Sequence, residues 1–108
     1  MADIWEYLEY TCWEVVGSTG QNIRTSPTKI SQIVESLHKV LSDLGVGEVI
    51  FEDSSSSPDF LSIRGASHVD ILNALSLDKW EPVTELNKVT VVFRRLVKAE
   101  ASNSPKAD

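Results

Sequence analysis

The strongest structural signal in the chain is the stretch SPTKISQIVESLHKVLSDLG, residues 26–45. Its apolar residues recur at three- and four-residue spacing and fall within an arc of about 120° at 100° per residue. These residues are Ile30, Ile33, Val34, Leu37, Val40, Leu41 and Leu44. Ser26 is a favourable N-cap, Pro27 suits a first helical turn, and Gly45 suits a left-handed C-cap. The pattern predicts a helix over 27–44 with one face against a core.

Four segments downstream of this helix read as strands bounded by turn residues. They are 46–52, 60–64, 81–85 and 88–97, with a serine-rich turn at 54–58 and a joining turn at 86–87. Before the third of these segments, Ser67 with Asp70 three residues later forms a capping-box pattern. A second, shorter helix is therefore predicted over 67–77.

Upstream of the long helix, residues 4–16 read IWEYLEYTCWEVV and are rich in side chains that favour strands. Alternation along a strand puts Trp5, Tyr7, Glu9, Thr11, Trp13 and Val15 on one face. It puts Ile4, Glu6, Leu8, Tyr10, Cys12, Glu14 and Val16 on the other. Neither face is purely polar, so either a bulge switches the register midway or both faces are partly covered. Residues 17–25, GSTGQNIRT, carry two glycines and several small polar residues and are predicted to form a loop.

These elements together predict an α+β fold. We expect an antiparallel or mixed sheet of four to five strands with the two helices packed on one face. Residues 1–98 are predicted to form a single α+β domain, because a chain of 108 residues has room for one core. Residues 99–108 have no apolar side chain larger than alanine and are predicted to be a disordered tail.

Composition excludes several classes of function. The net charge of −6 favours solubility and argues against nucleic-acid and anionic-membrane binders, because phosphates require a basic surface. The single cysteine, Cys12, excludes an intrachain disulfide and a cysteine-based zinc site. There is no apolar run of about 20 residues and no signal-peptide pattern at the start. We therefore expect a cytoplasmic protein without cofactors.

Motifs in two parts of the chain resemble a family of small bacterial and phage domains known as DUF4177. The first part is Trp5-Glu6-Tyr7, with an echo at Trp13-Glu14-Val15. The second runs from Leu72-Asn73-Ala74-Leu75 through Trp80-Glu81-Pro82-Val83 to Val92-Phe93-Arg94-Arg95-Leu96. The resemblance covers about 40 residues, and Lys79 stands where the family usually has glycine. It implies a sheet crossed by one helix, frequent oligomerisation, and no known activity or catalytic residue.

The residues most often used in catalysis form no recognisable constellation. His38 and His68 lie on different predicted helices, and no carboxylate is placed by spacing to join them in a catalytic or metal site. Cys12 lies in an aromatic strand without a neighbouring basic residue that would lower its pKa. We therefore interpret both histidines as structural or surface residues and Cys12 as a core residue. An enzymatic function is the least supported hypothesis.

The candidate interface or ligand residues are aromatic residues and arginines. Trp and Tyr on both faces of the first strand exceed what one layer of helices can cover, and such residues are enriched at interfaces. Adjacent arginines on the last strand must point to opposite faces, and an arginine beside an aromatic ring can hold a carboxylate, a phosphate or a base. The candidates are Trp5, Tyr7, Tyr10, Trp13, Arg64, Arg94 and Arg95.

Two functions are compatible with these residues. The first is a non-catalytic binding or regulatory module that acts through protein–protein interaction and self-association, most simply as a homodimer. The alternative is a protein that binds or sequesters a small, nucleotide-like ligand, with a pocket at a subunit interface. Ligand-induced thermal stabilisation would distinguish the second from the first.

Overall fold

One antiparallel sheet of six strands and two α-helices make up the protein, which a computed structural model describes over residues 3–54 and 56–98. The strands are β1 (Ile4–Val15), β2 (Ser18–Thr25), β3 (Ile50–Ser54), β4 (Ser57–Arg64), β5 (Glu81–Glu85) and β6 (Thr90–Lys98). The helices are α1 (Ile30–Asp43) and α2 (His68–Leu77). The predicted α+β class is confirmed. The predicted tail at 99–108 lies outside the described residues.

The strand order is β3-β4-β2-β1-β6-β5, with every pair antiparallel. The longest strand, β1, lies near the centre and pairs with β2 on one side and β6 on the other. Three of the pairs are hairpins: β1–β2, β3–β4 and β5–β6. The two edges of the sheet are therefore β3 and β5.

The prediction of four to five strands is wrong because residues 18–25 form β2 and not a loop. Only Ile23 in this segment is strongly apolar, and its side chain is completely buried. Gly17, with φ of +77°, allows the tight turn that folds β2 back along β1. The pairing partners on both sides, β1 and β4, determine that this polar segment is a strand. Composition alone could not supply that information, because strand formation depends on context.

The long helix is confirmed, but it begins at Ile30 and not at residue 27. Ser26 does not cap it; instead the N–H of Lys29 donates to the Ser26 carbonyl at 2.9 Å, which closes a turn before the helix. Its C-terminal end follows the prediction, since Gly45 has φ of +78° just after the C-cap Leu44. Strand β3 also begins later than predicted, at Ile50.

The second helix matches its prediction closely. The Ser67 side chain accepts from the N–H of Asp70, while the Asp70 carboxylate accepts from the N–H of Ser67, so the capping box is complete. Both helices pack on the same face of the sheet and form one core with it. The buried helical residues are Ile33, Leu37 and Leu41 from α1 and Ile71, Ala74 and Leu75 from α2.

Candidate interaction surface on the open face of the sheet

Alternation along β1 separates its side chains between the two faces of the sheet. Leu8 and Tyr10 point to the helices and are 1% and 2% exposed. Tyr7 and Trp13 point to the opposite face and are 50% and 37% exposed. No bulge occurs in the middle of β1, since its only register shift lies between Ile4 and Trp5. The alternative of a register switch midway along this strand is therefore wrong.

No helix among the described residues packs on this second face, which we call the open face. Cross-strand register brings aromatic and charged residues from all six strands onto it. The aromatic residues are Trp5, Tyr7, Trp13 and Phe60. The charged residues are Glu9, Arg24, Glu52, Arg64, Glu81 and Arg94. Five of the seven residues predicted as interface or ligand candidates are among them.

Arg94 lies between an aromatic ring and a carboxylate on the open face. Its guanidinium carbon is 3.9 Å from the centre of the Trp5 ring, and its Nε donates to Glu81 Oε1 at 2.7 Å. The hydrogen bond that Arg94 donates to Glu81 holds the pKa of Arg94 above its ordinary value. The cation is thus held over the indole by a carboxylate on the neighbouring strand.

The other two arginines of the open face are also paired. Arg24 lies 5.5 Å from the centre of the Phe60 ring, and its Nη1 is 3.6 Å from Asp59 Oδ2. Arg64 forms a two-nitrogen contact with Glu52 Oε1, and this hydrogen bonding raises the pKa of Arg64. Because these cations already have carboxylate partners, a phosphate or carboxylate ligand would have to compete with those partners.

Trp13 lies directly over Gly20, its partner in the neighbouring strand. A Cβ built at Gly20 would be 2.1 Å from Cζ2 of the indole, far inside van der Waals contact. The absence of a side chain at position 20 therefore lets the indole lie flat on β2. Aromatic cover of a glycine in a paired strand is a recognised way to stabilise such a strand. Sequence reasoning missed this pair because residues 17–25 were predicted to form a loop.

Two shallow clefts flank β1 and its neighbours on the open face. One, of about 330 Å³, is lined by residues that include Tyr7, Glu9, Arg24, Asp59 and Val92. The other, of about 320 Å³, is lined by residues that include Trp13, Asn22, Glu52, Phe60, Ser62 and Arg64. The open face is therefore uneven, with aromatic ridges beside depressions of mixed polarity.

Tyr10, the first of the two remaining candidates, lies on the covered face. Its hydroxyl donates to Gln21 Oε1 and lies 2.9 Å from Nδ1 of His68, whose ring is stacked on the phenol. Because the single hydroxyl proton goes to Gln21, we assign Nδ1 as the donor in the contact with His68. Burial, followed by the nearby Cys12 thiol, raises the pKa of Tyr10 well above its ordinary value. This network links β1, β2 and α2 inside the protein.

Arg95, the other remaining candidate, is the centre of a network between the helices and the sheet. Its Nε donates to Glu6 Oε2 and its Nη1 to Asp78 Oδ2, both at 2.7 Å. The side chains of the three ionic partners are 18%, 13% and 15% exposed, respectively. The guanidinium also lies 4.6 Å from the centre of the Trp80 ring. Arg95 thus ties β1 and β6 to the C-terminal end of α2 and has little contact with solvent.

Several residues of the open face were not predicted as candidates, and three of them, Arg24, Phe60 and Gly20, lie in β2 or β4. The alternation of these two strands becomes readable only once β1 and β2 are recognised as a hairpin. The signal that could have revealed this hairpin is Gly20, a glycine that a short turn separates from Trp13.

No group of three or more histidine, cysteine, aspartate or glutamate side chains within the described residues is arranged to hold a metal ion. His38 lies 5.0 Å from Phe51 and His68 contacts Tyr10, so the two histidines have different surroundings. No helix in the described part of the chain is long and apolar enough to cross a membrane. No protein-family model, curated protein or solved structure matches this chain.

Proposed function

We propose that this protein is a non-catalytic binding module that acts through protein–protein contact and self-association on its open face. The observation that carries the proposal is the half-exposed aromatic side chains along β1, on a face that no described helix covers. Trp and Tyr with an apolar body and a polar edge are characteristic of interface cores. An exposed patch of this kind marks an interaction site more often than a chance feature of a surface.

The charges of the open face favour a second copy of the chain as a partner. Arg24, Arg64 and Arg94 are each neutralised by a carboxylate within the same chain. Apart from Glu9, two such faces can therefore meet without like-charge repulsion, although the whole chain carries a net charge of −6. A two-fold axis through the face would bring the same residues together from both copies.

The size of the face also suits a dimer. With about 4.8 Å between strands and about 3.3 Å per residue, six strands averaging roughly eight residues span about 600 Å². The projecting aromatic rings add to the area that a partner would bury. The total approaches the roughly 800 Å² per partner of a standard interface.

Light scattering coupled to size exclusion at micromolar concentrations tests this proposal. We expect the wild type to be a dimer and Trp13→Ala to shift the equilibrium towards monomer. Leu77→Ala is the matched control, because Leu77 is an exposed apolar residue on α2, away from the open face. A wild type that stays monomeric would contradict the self-association, and capture of no partner from the native host would contradict the binding module as a whole.

Small-ligand binding remains a second candidate because the two clefts lie on the same open face. A second copy packed there would roof the cleft beside Tyr7 and Arg24. Thermal shift against a panel of nucleotides tests this function, since ligand at 100 times its dissociation constant stabilises a protein by about 2.7 kcal/mol. Because each arginine of the open face is already paired, we expect the most highly charged nucleotides to raise the melting temperature less than nucleotides of lower charge.

A further inference from the structure

The edge strand β5 presents unpaired backbone groups to solvent. All five of its residues are exposed, and β6 is its only neighbour among the strands of the described residues. Just beyond the strand, the N–H of Leu86 donates to the carbonyl of Thr90 at 2.9 Å. Because backbone groups of successive strand residues point to opposite sides, the N–H and carbonyl of Glu85 point away from β6. Such an edge is a template on which another strand can pair.

An apolar groove runs beside this edge on the helix side of the sheet. It has a volume of about 400 Å³ and lies between α2 and β5, with Leu72 on the helix and Val83 and Thr84 on the strand. Val91 and Phe93 from β6 also line it. An extended segment that pairs with β5 would therefore place alternate side chains in the groove. Main-chain pairing with side-chain pockets is the basis of recognition by strand addition.

The opposite edge of the sheet differs on its helix side. There the ring of His38 on α1 lies 5.0 Å from the ring of Phe51 on β3, at an interplanar angle of 64°. At the β3 edge, this contact joins the helix to the strand. At the β5 edge, a groove separates α2 from β5. The groove beside β5 therefore has the room for incoming side chains that this part of the β3 edge lacks.

The charge at the groove selects between possible occupants. Glu85 lines the groove, and no ion pair of Glu85 occurs within the described residues. Antiparallel pairing of β5 with β5 of a second copy, aligned over the whole strand, would place Glu85 opposite Glu81 at both ends. Like charges directly opposite each other destabilise a strand pair. A second copy is thus disfavoured on this edge, and a basic residue opposite Glu85 is favoured.

We propose that the groove between α2 and β5 binds an extended peptide segment of a partner protein, which adds a strand to the β5 edge. The segment carries apolar side chains at alternate positions and a lysine or arginine opposite Glu85. Pro82 offers no N–H, and the register of β5 shifts between Pro82 and Thr84, so the paired stretch is short. This surface is separate from the open face, and the two can be tested independently.

The probe is a fluorescein-labelled peptide of eight residues with the sequence Thr-Val-Thr-Lys-Thr-Val-Thr-Val. Threonine alternates with the side chains that would enter the groove, which are valine and one lysine. Fluorescence polarisation measures its affinity for the full chain. Two isomers, N-methylated on one or the other alternate set of backbone nitrogens, test strand addition directly. Only one set can face β5 in an added strand, so we expect one isomer to lose binding and the other to retain it.

Charge reversal locates the peptide. Glu85→Lys should weaken binding of the lysine peptide about fivefold, the size of an exposed ion pair, and should strengthen binding of a peptide with glutamate in place of lysine. Glu35→Lys, an exposed charge reversal on α1, should change neither affinity. The same affinity in Trp13→Ala would separate this groove from the open face. Equal binding of both methylated isomers, no binding of the probe, or no effect of Glu85→Lys would overturn the proposal.

Discussion

The two faces of the sheet are built from the same strands, but one is buried under the helices and the other is exposed to solvent. On the covered face, Leu8, Ile23 and Phe93 meet the helices and are almost fully buried. On the open face, Trp5 contacts an arginine, Trp13 lies over a glycine, and both keep part of their surface in solvent. Folding of the monomer therefore depends on the covered face. The open face retains apolar surface whose burial needs a partner.

The largest effect should come from the centre of the covered face. Leu37 is completely buried between α1 and the core, so Leu37→Ala should lower the free energy of unfolding by about 2–5 kcal/mol. Glu35→Ala, two residues away on the exposed side of the same helix, should stay within about 0.5 kcal/mol. Urea unfolding followed by circular dichroism measures both. Equal midpoints would contradict the orientation of α1.

Two adjacent arginines offer the next comparison. Arg95→Met would leave the carboxylates of Glu6 and Asp78 without their cation inside the covered face, at a cost of about 2–4 kcal/mol. Arg94→Met removes the exposed pair with Glu81 and the contact of the guanidinium with the Trp5 ring, so it should cost clearly less. Parallel urea titrations give the difference. If Arg94→Met proves the more damaging, the assignment of the two side chains to opposite faces is wrong.

Removal of an indole from the open face should have a smaller effect on folding than on association. Trp13→Ala uncovers Gly20 and should cost about 1–2 kcal/mol of monomer stability, less than a core truncation, because the ring is partly exposed in the monomer. The dissociation constant of the dimer should rise by a larger factor than the unfolding equilibrium constant of the monomer does. Sedimentation velocity over a concentration series separates the two effects, and a purely structural role for Trp13 would leave the dissociation constant unchanged.

The smallest effect concerns the response of the covered face to alkali. The pKa of Tyr10 is raised by burial, so the folded state holds its proton while an unfolded tyrosine loses it near pH 10. The unfolded state then binds fewer protons, and stability that is complete below pH 10 falls as the pH rises further, by at most about 1.4 kcal/mol per unit.

Tyr10→Phe should reduce this alkaline loss, and Tyr7→Phe on the open face is the matched control. Melting temperatures between pH 8 and pH 11 would check the comparison. A Tyr10→Phe variant with the same alkaline slope as the wild type would mean that other groups control the loss.

Local patterns in the sequence were sufficient for much of this fold. The three- and four-residue spacing of apolar residues predicted α1, and the Ser67–Asp70 capping box predicted the start of α2, because both signals act within one turn of helix. Alternation along residues 4–16 likewise assigned each side chain of β1 to one of two faces. The polar strand β2 could not be predicted, since its stability comes from pairing with β1 and β4.

The amino-acid sequence by itself thus determined the helices, the β3–β4 and β5–β6 hairpins and the division of β1 into two sets of side chains. It did not determine which set the helices cover, so Tyr10 and Arg95 were grouped with Trp13 and Arg94 as equivalent candidates. Only the tertiary structure decided between them. The reason is physical: period-2 alternation defines two faces, but burial of one face depends on where distant helices pack.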